Sequence, residues 1–196
     1  MNLPLTTGAA MIVIVTYLSF TAIAAYVYPL PWDPSRTFLS DFGNMRVNVR
    51  GSGYFNAGTI ITGLAVIPLY VGLKDWYSDG RSKYILILGQ LAGIASGVAL
   101  VLIGVYPEDF PAQHRFWSYA FFTINFVAMF LTNTALFMDK KYSSRVVAST
   151  YLGQAVTAVY FMLYGGTPLI EWFTVAASLI YAALLAVETW WHENPR

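Results

Sequence analysis

Six long apolar runs, at about residues 8–30, 54–73, 84–105, 116–138, 146–165 and 171–191, constrain this chain more than any other feature. Each is near the ~20 residues that an α-helix needs to cross a bilayer. No single soluble core in 196 residues can hide a chain that is 57% hydrophobic and only 11% charged, with a mean hydropathy of +0.56. The expected fold is all-α: one integral membrane domain, residues 1–196, of six transmembrane helices. A transmembrane β-barrel would alternate in polarity over segments of about ten residues, and these runs are continuously apolar. The short loops imply a compact bundle in a multi-pass protein of the cell membrane.

Composition excludes several classes of function. Cysteine is absent, which rules out disulfide scaffolds, thiolate metal sites and quinone-linked thiol chemistry. A net charge of +1 with no basic run gives no reason to expect nucleic acid as a partner. Ala22-Ile23-Ala24 has the small-x-small look of a signal-peptide cleavage site, but no Lys or Arg precedes the first run, which is long for a signal core. The run is therefore read as a retained helix.

Orientation follows from the basic residues of the loops. With the N-terminus cytoplasmic, the inside loops hold Lys74, Arg81, Lys83, Lys140, Lys141, Arg145 and Arg196, and the outside loops hold Arg36, Arg46, Arg50 and Arg115. That favours N-in and C-in. Three of the four outside arginines crowd into one loop, residues 31–53, the longest polar connection in the chain. Long loops in compact proteins are more often functional than ornamental. The prolines at 29, 31 and 34 forbid a regular helix at its start, and Ser35 to Ser52 is expected to form a short interfacial helix capped by Ser35 or Asp33.

Two polar segments carry the candidate chemistry: LSDFGN at 39–44 and YPEDFPAQH at 106–114, both on the expected outer face. In a helical reading of 40–44, Ser40 and Asn44 share a face with Asp41 beside them. His114 opens the fourth helix, whose Ser118, Phe121, Asn125 and Thr132 form a stripe expected to face the bundle interior. The candidate catalytic residues are His114, Asp41, Ser40 and Asp109, and the candidate substrate contacts are Arg46, Arg50, Asn44, Ser118, Tyr164 and Glu171. Tyr160 and Tyr164 are expected to line a pocket beneath the loops. Structural duties compete for the same residues: Asp41 as a helix cap or partner of Arg46, and Glu108 and Asp109 as acids at the positive end of the helix that starts near Pro111. Most of the six tryptophans are expected at the membrane interfaces.

A divalent metal would need three or more converging donors, for which Asp41, Glu108, Asp109 and His114 are the candidates, with no HExxH to support them. Serine catalysis would need Ser40 or Ser118 beside His114 and an orienting acid. The glycines at 89, 93, 97 and 104 around Ser96 are better explained by close helix packing than as the nucleophile of an intramembrane protease. Every Lys falls in a loop, so no retinal-bearing lysine lies at mid-membrane, and Gln90, Asn125 and Gln154 carry no charge for an ion relay.

The order LSDFGN, then FNAGTIITG at 55–63, then IGVYPED from 103 with a following His resembles the family of six-helix bacterial and archaeal membrane proteins known as domain of unknown function 998. Phe42 stands where that family has Leu and Tyr106 where it has Phe. The family is in turn distantly similar to the Frag/DRAM/Sfk group, some of whose members act in lipid remodelling. Carried over residue by residue, Ser40, Asp41, Gly43, Asn56, Pro107, Asp109 and His114 match the family motif positions. The resemblance implies the six-helix fold, adds Asn56 to the candidate site, and assigns no activity.

Three readings of function stand at this point. The first is a hydrolase or transferase acting on a lipid or lipid-linked substrate at the outer leaflet through an Asp/His site. The others are a lipid- or ligand-binding protein without turnover and a small-solute transporter. Membrane lipid is the expected partner; the cofactor, the oligomeric state and the role of Ser40 as nucleophile or cap stay open.

Overall fold

A computed structural model describes residues 2–138 and 142–195, and every regular element among them is helical. The six long helices are α1 (Leu5–Tyr26), α2 (Ser52–Val71), α3 (Arg81–Val105), α4 (Pro111–Phe137), α5 (Ser144–Tyr164) and α6 (Pro168–Glu193). The shortest of them, α2, has 20 residues and reaches about 30 Å at 1.5 Å per residue, the thickness of the hydrocarbon core. All six are long and apolar enough to span a membrane. Both ends of the chain then lie on one face, where Asn194 Nδ2 donates to the Asn2 carbonyl at 3.2 Å. The α1–α2 and α3–α4 connections form the opposite face, called here the loop face. Lys140, Lys141 and Arg196 of the charge count lie outside the described residues.

Proline and glycine set several boundaries differently from the apolar runs. The first run extends to Leu30, but α1 stops at Tyr26, ahead of Pro29 and Pro31. The fourth helix begins at Pro111 rather than near 116, with proline in the first turn, where its missing N–H costs nothing. His114 therefore sits in that turn, and its backbone N–H donates to the Phe110 carbonyl.

Without a hydrophobic drive between helices in lipid, close packing and buried hydrogen bonds hold the bundle together. A Cβ added at Gly97 would lie 2.8 Å from the Gly63 carbonyl oxygen, and one at Gly104 would lie 2.7 Å from that of Asn56. Backbone thus meets backbone along the α2–α3 seam. Gly89 lets α3 approach Thr132 of α4 as closely, and Phe121, Asn125 and Thr132 of the predicted stripe are buried. Thr6 donates to the Leu69 carbonyl and Thr7 to the Ala186 carbonyl, tying α1 to α2 and α6. Ser96 is fully buried and donates to Gly93 O, a structural bond within α3. Trp76 is also buried, donating to Thr189 Oγ1 and stacked on His192, so it is packed inside rather than anchored at the interface.

Residues 27–51 do not form the expected helix over 35–52. Their one regular element is a single 3-10 turn at Ser40–Gly43, flanked by hydrogen-bonded turns. Asp33 accepts from the backbone N–H and the hydroxyl of Ser35, closing a local turn instead of capping a helix. The segment folds around Asn48, which is fully buried: its Nδ2 donates to the carbonyls of Ala24 (3.1 Å) and Phe42 (2.9 Å), and its Oδ1 accepts from Gly51 N–H (3.1 Å). Replacing Asn48 with Ala strands the Ala24 and Phe42 carbonyls at about 1–3 kcal/mol each, while the Gly51 N–H keeps its bond to the backbone carbonyl of residue 48. Asn48→Ala should lower the melting temperature in detergent by roughly 5–10 °C; an unchanged melting temperature would show that the loop is held by other contacts.

Candidate functional site

The 3-10 turn is pinned from above and below. Phe42 is fully buried among Tyr28, Trp32, Phe55 and Trp172, with ring centroids 5.1–6.4 Å away. Trp32 stacks on Trp172 at 5.6 Å, and Trp172 Nε1 donates to the Thr37 carbonyl at 2.8 Å. On the other side Asn56 Nδ2 donates to Gly43 O at 3.0 Å, and a Cβ at Gly43 would fall 2.4 Å from Asn56 Oδ1. Only glycine fits between the turn and α2, which gives the glycine of the LSDFGN motif a physical cause.

So fixed, the turn presents Ser40 and Asp41 to residues from the α3–α4 connection and from the first turns of α4 and α6. Ser40 Oγ donates to Glu108 Oε1 at 2.9 Å, across 68 positions of sequence. Asp41 accepts from Phe38 N–H at 2.8 Å and shares a hydrogen bond with the Glu108 carboxyl. Glu171, in the first turn of α6, accepts from Leu39 N–H at 2.9 Å and lies beside Ser40. His114 is half-buried and close enough to Asp41 for their charges to interact. Its Nδ1 is 2.9 Å from the Tyr106 carbonyl. A carbonyl only accepts, so Nδ1 carries hydrogen and Nε2 of the neutral ring is left as an acceptor. Burial, and next the hydrogen-bonded Glu108, push the Asp41 carboxyl up to about 6.

Beneath this cluster lies a cavity of about 80 Å³ within the bundle. Ser40, Ser118 and Glu171 stand in its wall, and Tyr17, Phe55, Leu100 and Phe121 are among its apolar lining. Polar chemistry and an apolar chamber thus share residues.

Other candidates sit elsewhere. Asp109 Oδ2 accepts from Met45 N–H at 2.7 Å and Oδ1 lies 3.6 Å from Arg46 Nε. Arg46 therefore pairs with Asp109, not Asp41, and Glu108 and Asp109 serve the loop instead of the dipole of α4. Asn44 lies beyond the end of the 3-10 turn, where its Oδ1 accepts from the backbone N–H of Arg46 and Val47, so it does not share a face with Ser40. Tyr164 is 64% exposed and packs on Tyr160, away from the cavity beneath the loops. Arg46 and Arg50 are exposed. The Ser40 hydroxyl bonds Glu108 instead of His114, and Ser118 stands in the cavity wall one helical turn after His114. Among the described residues no three His, Cys, Asp or Glu side chains are arranged to hold a metal. Sequence reasoning missed Asn48 and Phe42, whose only sequence signals were an Asn three residues before a Gly and an aromatic inside a polar motif.

The raised Asp41 carboxyl has a consequence for stability. The folded state binds this proton more tightly than the unfolded chain, whose carboxyl has an ordinary value of 3.8. Asp41 therefore favours folding at low pH and loses that contribution as pH rises from about 4 to about 6. The melting temperature of wild type minus that of Asp41→Asn should grow as pH is lowered through this window. A difference that stays flat, or that shrinks, would contradict the geometry described for the Asp41–Glu108 pair.

No curated protein and no protein of solved structure matches the chain. Residues 11–188, which take in all of these site residues and all six helices in whole or in large part, match one family over most of the sequence. The chain belongs to the family described as protein of unknown function (DUF998).

Proposed function

We propose that this protein is a membrane-embedded hydrolase or transferase acting on a lipid or lipid-linked substrate. The observation that supports this best is the seating of the polar cluster over the apolar cavity, with Ser40 and Glu171 belonging to both. A hydrocarbon chain would lie among Tyr17, Phe55, Leu100 and Phe121, and the bond to be cleaved would lie beside Asp41, Glu108 and His114. His114 Nε2 accepts the proton of the attacking water or hydroxyl. The Asp41 carboxyl, raised by burial and by the neighbouring Glu108, gives its proton to the leaving group. Arg46 and Arg50, exposed in the α1–α2 connection, suit an anionic head group through charge-assisted hydrogen bonds. The lysine and arginine distribution supports a reading in which the loop face is the outer one and the substrate belongs to the outer leaflet of the cell membrane.

A second reading, lipid binding without turnover, is favoured by a specific observation. Asp41, Glu171, Asp109 and Asn56 each bond the backbone of the 38–45 segment, so each has a structural role without chemistry. Proteoliposomes supplied with extracted membrane lipids and followed by mass spectrometry separate the two. The enzymatic reading expects wild type to convert one lipid class and His114→Ala or Asp41→Asn to slow it about 100-fold or more, with melting temperatures within a few degrees of wild type. No conversion by wild type, together with variants that lose several degrees, would replace it with the binding reading.

A further inference from the structure

The cavity beneath Ser40 has a larger neighbour. A chamber of about 210 Å³ lies between α4, α5 and α6, and the two spaces share Phe122 and Ser178 in their walls. Asn125 Nδ2 donates to Ser178 Oγ at 3.0 Å at this common wall. On the lipid side the chamber is bounded by Phe173 and Ile180, which are 40% and 60% exposed.

The packing of α5 creates this space. Its buried residues are Val147, Thr150 and Gln154, all in its first half, whereas none of residues 155–164 is buried. That second half lies toward the loop face, because α6 starts at Pro168 just after α5 ends and brings Glu171 into the polar cluster. The chamber itself is lined from α5 by residues 149–157, around the middle of the span, and the loosely packed second half of α5 leads from it toward the loop face. At Gly153, in the chamber wall, an added Cβ would meet nothing within 4 Å, so this turn of α5 borders unfilled space. The lining carries no charged residue, and Gln154 in it keeps a side-chain oxygen without a protein partner. An empty chamber of this kind forfeits packing on every wall.

We propose that the chamber binds an acyl chain of a membrane lipid and is the lateral route from the loop-face leaflet, between α5 and α6 and past Phe122, into the cavity beneath Ser40. The route rests on the lipid-processing reading for its destination. Chain binding in the chamber stands on the packing of α5 alone. Charged head groups would meet no counter-charge in the chamber, so the head travels at the membrane surface while the chain slides through the gap.

The test uses the full chain in phospholipid nanodiscs doped with a phospholipid that carries a diazirine near the end of one acyl chain. After photolysis, the labelled residues are mapped by mass spectrometry. Wild type should be labelled at Phe122, Phe126 and Ser178 as well as at the lipid-facing Met11 and Val15 of α1. Gly153→Leu fills the chamber and should cut the Phe122, Phe126 and Ser178 labelling severalfold while leaving that of α1 unchanged, which also reports an intact fold. Asp41→Asn should label as wild type does. Absence of inner-wall labelling in wild type, or equal labelling in Gly153→Leu, would overturn the proposal. Labelling lost in Gly153→Leu with no lipid turnover in any variant would keep chain binding in the chamber and sink the enzymatic reading. Undiminished turnover by Gly153→Leu would overturn the lateral route.

Discussion

The loop face depends on one buried amide. Asn48 lies in a segment with almost no regular structure, yet its side chain joins the carbonyls of Ala24 and Phe42 to the N–H of Gly51. It thereby links the end of α1, the 3-10 turn and the approach to α2. Irregular backbone at the edge of a membrane survives only where its polar groups find partners within the protein. Asn48 supplies those partners at full burial. Phe42 then locks the turn by filling an aromatic box, and Gly43 lets it rest on Asn56. The position of Ser40 and Asp41 follows from these three residues.

That placement brings acids together where a bilayer protein would ordinarily keep them apart. Asp41, Glu108 and Glu171 come from three separate elements and meet around one serine hydroxyl, with His114 alongside. Concentrated negative charge has a stability cost that backbone N–H donors at Phe38 and Leu39 partly offset. Arg46 and Arg50 stay exposed, Arg46 held by Asp109. The result is an acidic cluster set over an apolar cavity.

Much of the fold was legible in the sequence, because a helix that crosses a membrane announces itself by length and hydropathy. The same holds for the buried stripe of α4 and the glycine seam of α3, both readable from helical spacing. Boundaries drifted where caps and prolines, rather than hydropathy, decide them, as at Tyr26 and Pro111. The loop was misread as helix because its Asp and Asn side chains bond nearby backbone and stabilise turns in place of a helical ladder. For the candidate site, the two polar motifs were visible, and so was their common face. Their pairings were not: Ser40 with Glu108 and Met45 with Asp109 join positions more than sixty residues apart, and no local pattern encodes which carboxyl meets which donor. A pocket beneath the loops was expected, but its walls come from α1, α2, α3, α4 and α6 and not from Tyr160 or Tyr164; the chamber beside α5 was invisible, since it arises from how α5 packs, not from any residue's own preference.

The central claim is that the acid–histidine cluster and the cavity beneath it form one lipid site. The most direct measurement is an experimental density map of the protein in a bilayer of its native lipids. The account predicts a hydrocarbon chain between Tyr17, Phe55 and Phe121 with its polar end within hydrogen-bonding distance of Asp41, Glu108 or His114. A cavity closed by inward rotation of those aromatic side chains, with lipid density confined to the outer surface of the bundle, would contradict it.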